Sequence, residues 1–362
     1  MPMLQGLPSP VRFLFGAGLC LLASLAAMAW LAPRGWTDHP RGRRQHARPT
    51  PRTGGIAAMA TVGLGLLLGG VRLPLGGWEW AVAFAMGLMG LADDRLDLRA
   101  RWKALASLAG AGVLTALTWG VLRGAGDHLP LFLGQLATKT GLAAVLMVAW
   151  YWSIPQACNL IDGMNGLALG FFLLLAISMD LPLGAGGRGA YLMGALVALL
   201  ALNFPRGRQF LGDSGALFLG TLFAILGVHL LAVQSPNHLL WAFAYPIVDV
   251  LLVMSIRRAN GRPLGEGDRN HFHHQWQRRL PGRPLTVWAL TLAPALACMQ
   301  VMQDYPGHRA VAWAGGAWLA GCAGWFYRRS RASVPARPPS RSRTPVELED
   351  RWAEPSGPHR VA

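Results

Sequence analysis

Apolar residues along this chain fall into blocks of about 18 to 22, divided by short segments that carry most of the charge. Blocks of that length match the hydrocarbon thickness of a bilayer when wound as helices. The stretch 192–202 is apolar on every face, which fits neither an amphipathic surface helix nor an alternating strand. The pattern predicts spans near 13–32, 55–72, 77–92, 104–122, 138–158, 166–182, 189–204, 215–234, 237–256, 284–303 and 309–327. The expected fold class is therefore all-α, a polytopic membrane protein of ten or eleven transmembrane helices. Small residues between Ala23 and Ala29 could pass for a peptidase site, but a dense arginine cluster follows, as after a retained first span. Residues 1–327 are expected to form one membrane-embedded domain. The Arg, Pro and Ser of 328–362 suit a disordered tail.

Composition sharpens this picture. Of 362 residues, 53% are hydrophobic and 14% charged, and basic residues exceed acidic ones by 16. In a soluble protein that excess would suggest nucleic acid. Here 27 of the 33 Lys and Arg fall on the face made by alternate loops and the tail: 33–54, 93–103, 159–165, 205–214, 257–283 and 328–362. The positive-inside rule places that face in the cytoplasm, with the N-terminus outside and the C-terminus inside. No nucleic-acid role is needed. The isolated cysteines, Cys20, Cys158, Cys298 and Cys322, support neither a disulfide framework nor a zinc site.

Every carboxylate cluster falls on the arginine-rich face, although the acids played no part in assigning it. Asp93-Asp94-Arg95-Leu96-Asp97 closes the third span, and helical spacing would put two or three of its carboxylates on one face. Such a group can hold Mg²⁺ or keep a base ready; alone, it could also be a solvated helix end paired with Arg95, Arg99 and Arg101. In Cys158-Asn159-Leu160-Ile161-Asp162-Gly163-Met164-Asn165-Gly166-Leu167, three polar residues recur at three-residue steps beside two glycines. A ligand site or an interhelical hydrogen-bond ladder would both explain that spacing.

In the run from Asn203 through Arg206, Arg208 and Gly212-Asp213-Ser214-Gly215, a carboxylate lies between small residues at a helix start. It could bind a metal that completes its shell with phosphate oxygens, or simply cap the helix. Asp268-Arg269-Asn270-His271-Phe272-His273-His274 lacks the spacing of common zinc sites and suits diphosphate better, a solvated basic loop being the plain alternative. Asp38-His39-Pro40 through Arg43, Arg44, His46, Arg48, Pro49 and Pro51 to Gly54-Gly55 is a basic loop that lipid head groups or topology alone would explain.

These five stretches, in this order, resemble the polyprenyl-phosphate N-acetylhexosamine-1-phosphate transferases, which share a fold with the phospho-N-acetylmuramoyl-pentapeptide transferase of peptidoglycan synthesis. The similarity covers about residues 36–275. The form Asp-Arg-x-His-x-His-His, with Asp249, Arg257 and Arg258, is similar to the hexosamine branch. Two positions depart from the pattern: Asn165 stands where Asp is common, and Ala216 where Ser is usual.

The resemblance implies transfer of a sugar 1-phosphate from a UDP-sugar to polyprenyl phosphate, giving UMP, at the face of a bacterial inner membrane. It implies Mg²⁺, or Mn²⁺, on Asn159 and Asp213, with Asp93 or Asp94 activating or orienting the lipid phosphate and Asp162 orienting the donor or metal shell. Asp97, Arg206, Arg208, Arg269, His271, His273 and His274 are the expected substrate-binding residues. Membrane lipid is the expected environment, and a homodimer is compatible with the sequence. An ion-coupled transporter would need acids near mid-membrane and an inverted repeat, neither of which the sequence displays.

Overall fold

The computed structural model describes residues 3–4, 6–39, 48–124, 141–180, 187, 189–231, 236–263, 269–299 and 306–332. The tail from 333, the stretch 40–47 of the basic loop and Asp268 lie outside the described residues.

Within them the chain is built of helices: α1 (Ser9–Leu31), α2 (Gly54–Leu67), α3 (Gly77–Leu96), α4 (Ala100–Gly124), α5 (Leu142–Leu160), α6 (Leu167–Asp180), α7 (Ala190–Asn203), α8 (Gly212–Leu230), α9 (Pro236–Ala242), α10 (Ala244–Ala259), α11 (Phe272–Arg279), α12 (Pro284–Met299) and α13 (Pro306–Ala332). The protein is an all-α polytopic membrane protein. Among the described residues three helical segments, Ser9–Arg34, Ala100–Leu122 and Gly212–Leu230, are long and apolar enough to cross a membrane. Others are apolar but shorter, such as Gly54–Leu67 and Leu167–Asp180.

The span expected at 237–256 is divided at Phe243. Pro246 has no N–H to offer the carbonyl of Ala242, so the helix stops there and restarts at Ala244.

α8 is the hub. Its apolar window is 89% buried, against 17% for the first span, and α3, α5 and α2 all lie on it. Gly90 of α3 touches the backbone at Asp213 and Ser214, and Gly55 of α2 meets Gly215, so any side chain there would force the helices apart. A two-stranded antiparallel ribbon, β1 (Thr37–Asp38) and β2 (Thr50–Pro51), closes this end of the bundle with Asp38 opposite Thr50. The ribbon and the start of α2 are hydrogen-bonded to the segment before α8: Phe210 N–H donates to the Pro51 carbonyl, and Gly54 and Gly55 N–H donate back to the carbonyls of Phe210 and Leu211.

Candidate active site

The acids of α3 do not share one face. The helix ends at Leu96 and Asp97 takes a left-handed conformation, φ 49°, which turns its side chain outward and leaves it exposed. Asp93 and Asp94 then part company. Asp93 accepts from Lys103 Nζ at 2.7 Å and from the Leu98 N–H at 2.9 Å, and its carboxyl group lies beside that of Asp213. Asp94 accepts the N–H groups of Asp213 at 3.1 Å and Ser214 at 3.0 Å, and pairs with Arg52 at 3.2 Å. The carboxylate from α3 thus caps α8, whose own N-cap is Leu211. Asp213 is not the cap.

The expected Asn159/Asp162/Asn165 face is also divided. α5 ends at Leu160, so Asn159 occupies its last turn and the chain folds through turns from Ile161 to Gly166. Gly166, at φ 76°, is where the left-handed turn requires glycine, and its N–H is held by Asn203 Oδ1 of α7. Asn165 donates to the Pro205 carbonyl at 3.2 Å, a structural bond that accounts for an uncharged residue at this position. Asp162 is left facing the cavity described below.

The 203–213 segment is pinned by Asn203, which also donates to the Gln209 carbonyl at 2.8 Å, and by Gln209, which donates to Thr53 Oγ1 at 2.9 Å. Arg206 and Arg208 are exposed and stand outside the cavity wall. So does Arg269, also exposed.

The histidines open α11. His271 is held by Asp249 at 2.6 Å, and His273 is fully buried against Gly163, with no hydrogen-bond partner among the described residues for either ring nitrogen. Only His274 reaches the cavity, where Gln277 lies 3.1 Å from its Nδ1. Burial, together with the neighbouring His274 and His271, lowers the His273 pKa well below the ordinary imidazole value, so it is neutral.

The cavity measures about 450 Å³ and is walled by Asp38, Arg52, Asp162, Asn203, Asp213 and His274 among others. A smaller recess of about 100 Å³ shares Asp38 and Arg52 with it and reaches Asp94 and Trp36. Arg52 stands between the two, bridging Asp38 and Asp94 at 3.2 Å each. It was legible in the sequence only as one arginine of a basic loop; the signal that it belonged to a site was its place just before Gly54-Gly55, which seat the chain on α8.

Burial, and then the charges of Asp213 and Asp94, hold the Asp162 carboxyl well above the usual carboxylate range. Burial also raises Asp94, against the pull of the Ser214 N–H, Arg52 and the Asp213 N–H. For Asp93 burial works upward too, but its contacts with Asp213 and Lys103 prevail and keep it low.

Asp93 and Asp213 are neighbouring carboxyl groups, an arrangement whose mutual repulsion a hard divalent cation would answer. Among the described residues no three His, Cys, Asp or Glu side chains are grouped to hold a metal by themselves. Magnesium ordinarily takes one or two carboxylates and completes its shell with water and phosphate, and the Asp93 and Asp213 pair fits that pattern. Asn159, the other expected ligand, is half-buried and does not line the cavity.

Residues 79–231, which hold α3 through α8, match the model of glycosyl transferase family 4. The chain is 30% identical over 255 residues to a probable undecaprenyl-phosphate N-acetylglucosaminyl 1-phosphate transferase of Bacillus subtilis, covering 67% of this chain and 69% of that protein. It is 31% identical over 313 residues to the decaprenyl-phosphate N-acetylglucosaminephosphotransferase of Mycolicibacterium smegmatis, covering 74% and 76%. Against the undecaprenyl-phosphate alpha-N-acetylglucosaminyl 1-phosphate transferase of Yersinia pestis the identity is 27% over 306 residues, covering 79% and 80%.

Proposed function

Since the chain belongs to glycosyl transferase family 4, we propose that it moves N-acetylglucosamine 1-phosphate from UDP-N-acetylglucosamine to a polyprenyl phosphate, releasing UMP. An oxygen of the lipid phosphate attacks the sugar-linked phosphorus. The bond from that phosphorus to the bridging oxygen breaks, and UMP departs with the oxygen and its electron pair. The products are UMP and a polyprenyl diphosphate sugar.

The observation that carries this reading is that four of the five polar stretches line one cavity, with acids, one arginine and one histidine in its wall, and that Asp94 of the fifth lines the recess beside it. A water-soluble donor and a lipid acceptor meet only at such a membrane face, which we assign to the cytoplasm of a bacterial inner membrane. Two anions must be brought together, so placement and charge neutralisation supply most of the rate. Arg52 neutralises the incoming phosphates, and the recess beside Asp94 and Trp36 receives the lipid phosphate, already ionised at neutral pH. Asp162 and His274 orient the donor across the cavity. Asp213 and Asp93 would hold a divalent ion, Mg²⁺ or Mn²⁺, which bound there screens the donor diphosphate and stabilises the charge on departing UMP.

Purified protein incubated with radiolabelled UDP-N-acetylglucosamine, polyprenyl phosphate and magnesium is expected to put label into the lipid phase and release UMP, both stopped by chelation. Label that stays in the aqueous phase, for this and other UDP-N-acetylhexosamines, would overturn the reading.

A further inference from the structure

A second cavity lies where α11 gives way to α12. It measures about 270 Å³ and is walled by Gln277, Arg278, Leu280, Arg283, Pro284 and Val287 among others. Gln277 and Pro284 also wall the active-site cavity, so the two adjoin at the same end of the bundle. Arg278 and Arg283 are exposed, whereas Val287 is fully buried and Leu280 packs against the core. Two cations and an apolar wall therefore share one pocket.

These cations have no acids to answer them. Between Asp268 and Glu347 the only acidic residue in the sequence is Asp304, which follows α12 at its other end. Among the described residues no carboxylate pairs with Arg278, Arg279 or Arg283. Burial, and then the charges of Arg278 and Arg329, lower the Arg279 pKa, as happens where like charges gather. The Arg279 guanidinium lies over Trp325 at 4.5 Å and Phe326 at 4.9 Å, and that of Arg329 over Trp325 at 5.2 Å, so α13 offers aromatic faces instead of acids.

The surroundings are those of a lipid head group. Trp276 of α11 and Trp325 of α13 have ring centres 6.1 Å apart, and tryptophan gathers at the membrane–water interface. Leu285, next to Pro284 of the pocket wall, is exposed in the first turn of the apolar α12, where acyl chains would cover it. Topology alone explains arginines on this face, but not why two of them wall a pocket that is apolar on its other side. Basic pockets between membrane helices on the cytoplasmic side commonly hold anionic lipid head groups.

We propose that this pocket binds the head group of an anionic phospholipid of the inner leaflet, its phosphate between Arg278 and Arg283 and its acyl chains along Leu285. The site stands whether or not the neighbouring cavity carries out the transfer proposed above.

The test titrates full-length protein in neutral detergent with phosphatidylglycerol, phosphatidylcholine being the uncharged control, and counts bound lipid by native mass spectrometry. Phosphatidylglycerol should bind the more tightly. Arg278→Gln and Arg283→Gln are each expected to weaken its binding about fivefold and together about 30-fold, the worth of one basic residue near an anionic surface apiece, with phosphatidylcholine unaffected. Both side chains are exposed and make no hydrogen bond among the described residues, so the melting temperature of the lipid-free variants should match wild type. Arg101→Gln controls for diffuse attraction, since Arg101 also lies over a tryptophan, Trp102 at 5.4 Å, but stands outside the pocket; it should leave binding unchanged. Equal affinity of the wild type for the two lipids, or a loss in Arg101→Gln as large as in Arg278→Gln, would reduce the pocket to general attraction by a basic face and overturn the site. UDP with magnesium should leave the bound lipid in place; its displacement would give the pocket to the nucleotide and overturn the lipid as occupant.

Discussion

The antiparallel pair α3 and α8 ends twice in a carboxylate beside a helix terminus, and the two ends differ in their balance of charge. At the far end Glu79 accepts the Gly76 N–H that opens its own helix and meets His229 Nε2 at 3.0 Å. One acid faces one imidazole there, and both are satisfied. At the near end, roughly 24 Å away along α8 at about 1.5 Å per residue, Asp93, Asp94, Asp213 and Asp162 crowd together, with Arg52 and Lys103 as the cations coupled to them. A fold that needed only to fasten two helices would repeat the far arrangement. The near end instead retains surplus acid beside a cavity, and that surplus separates a site from a clasp.

The comparison breaks most decisively at Asp213. Asp213→Asn should cut UMP release about 1,000-fold, the upper range for losing one preorganised charged group, with little change in melting temperature because a repulsive contact is relieved. Turnover near wild type would remove Asp213 from the chemistry and make the near end another clasp. Arg52→Ala should cost about 100-fold in kcat/KM, and Arg52→Lys should recover only part of it, since a point charge cannot bridge Asp38 and Asp94 as the guanidinium fork does.

A third variant, Asp162→Asn, sharpens the charge argument through stability. Because folding raises the Asp162 carboxyl, the wild type is most favoured below the ordinary value of 3.8 and loses that advantage as pH rises toward the folded-state value. The variant should therefore melt higher than wild type at neutral pH, with the gain fading on acidification toward 3.8. An equal or lower melting temperature at pH 7 would show that the surplus charge is answered by some other group. The smallest effect belongs to the far end. Glu79→Ala should cost about 1 kcal/mol, the usual loss for a helix cap, and leave UMP release within about threefold. A larger fall in activity would mean that the clasp sets the geometry of the site.

Much of this was readable from residue order. The apolar blocks announce the helices, and the five polar stretches announce which loops meet, because an acid kept near a membrane needs a reason. What periodicity could not reveal is where helices stop. Asp93, Asp94 and Asp97 look like one face until the chain turns left-handed at Asp97, and Asn159, Asp162 and Asn165 look like another until α5 ends at Leu160. Pairings across long separations were equally hidden. Nothing local marks Glu79 for His229, and nothing local tells that Asp94 caps a helix beginning at Gly212. Arg52 escaped notice for a different reason, since topology alone already explained an arginine in that loop.

That Asp94 occupies the first free amides of α8 has a consequence for which molecules are admitted. The opening turn of a helix is the ordinary berth for a naked phosphate, but here an acid already fills it. An anion arriving unaccompanied meets repulsion where it would elsewhere find welcome. On the proposed reading the donor nucleotide therefore enters with its own divalent counter-ion, and the lipid phosphate depends on Arg52 beside Asp94.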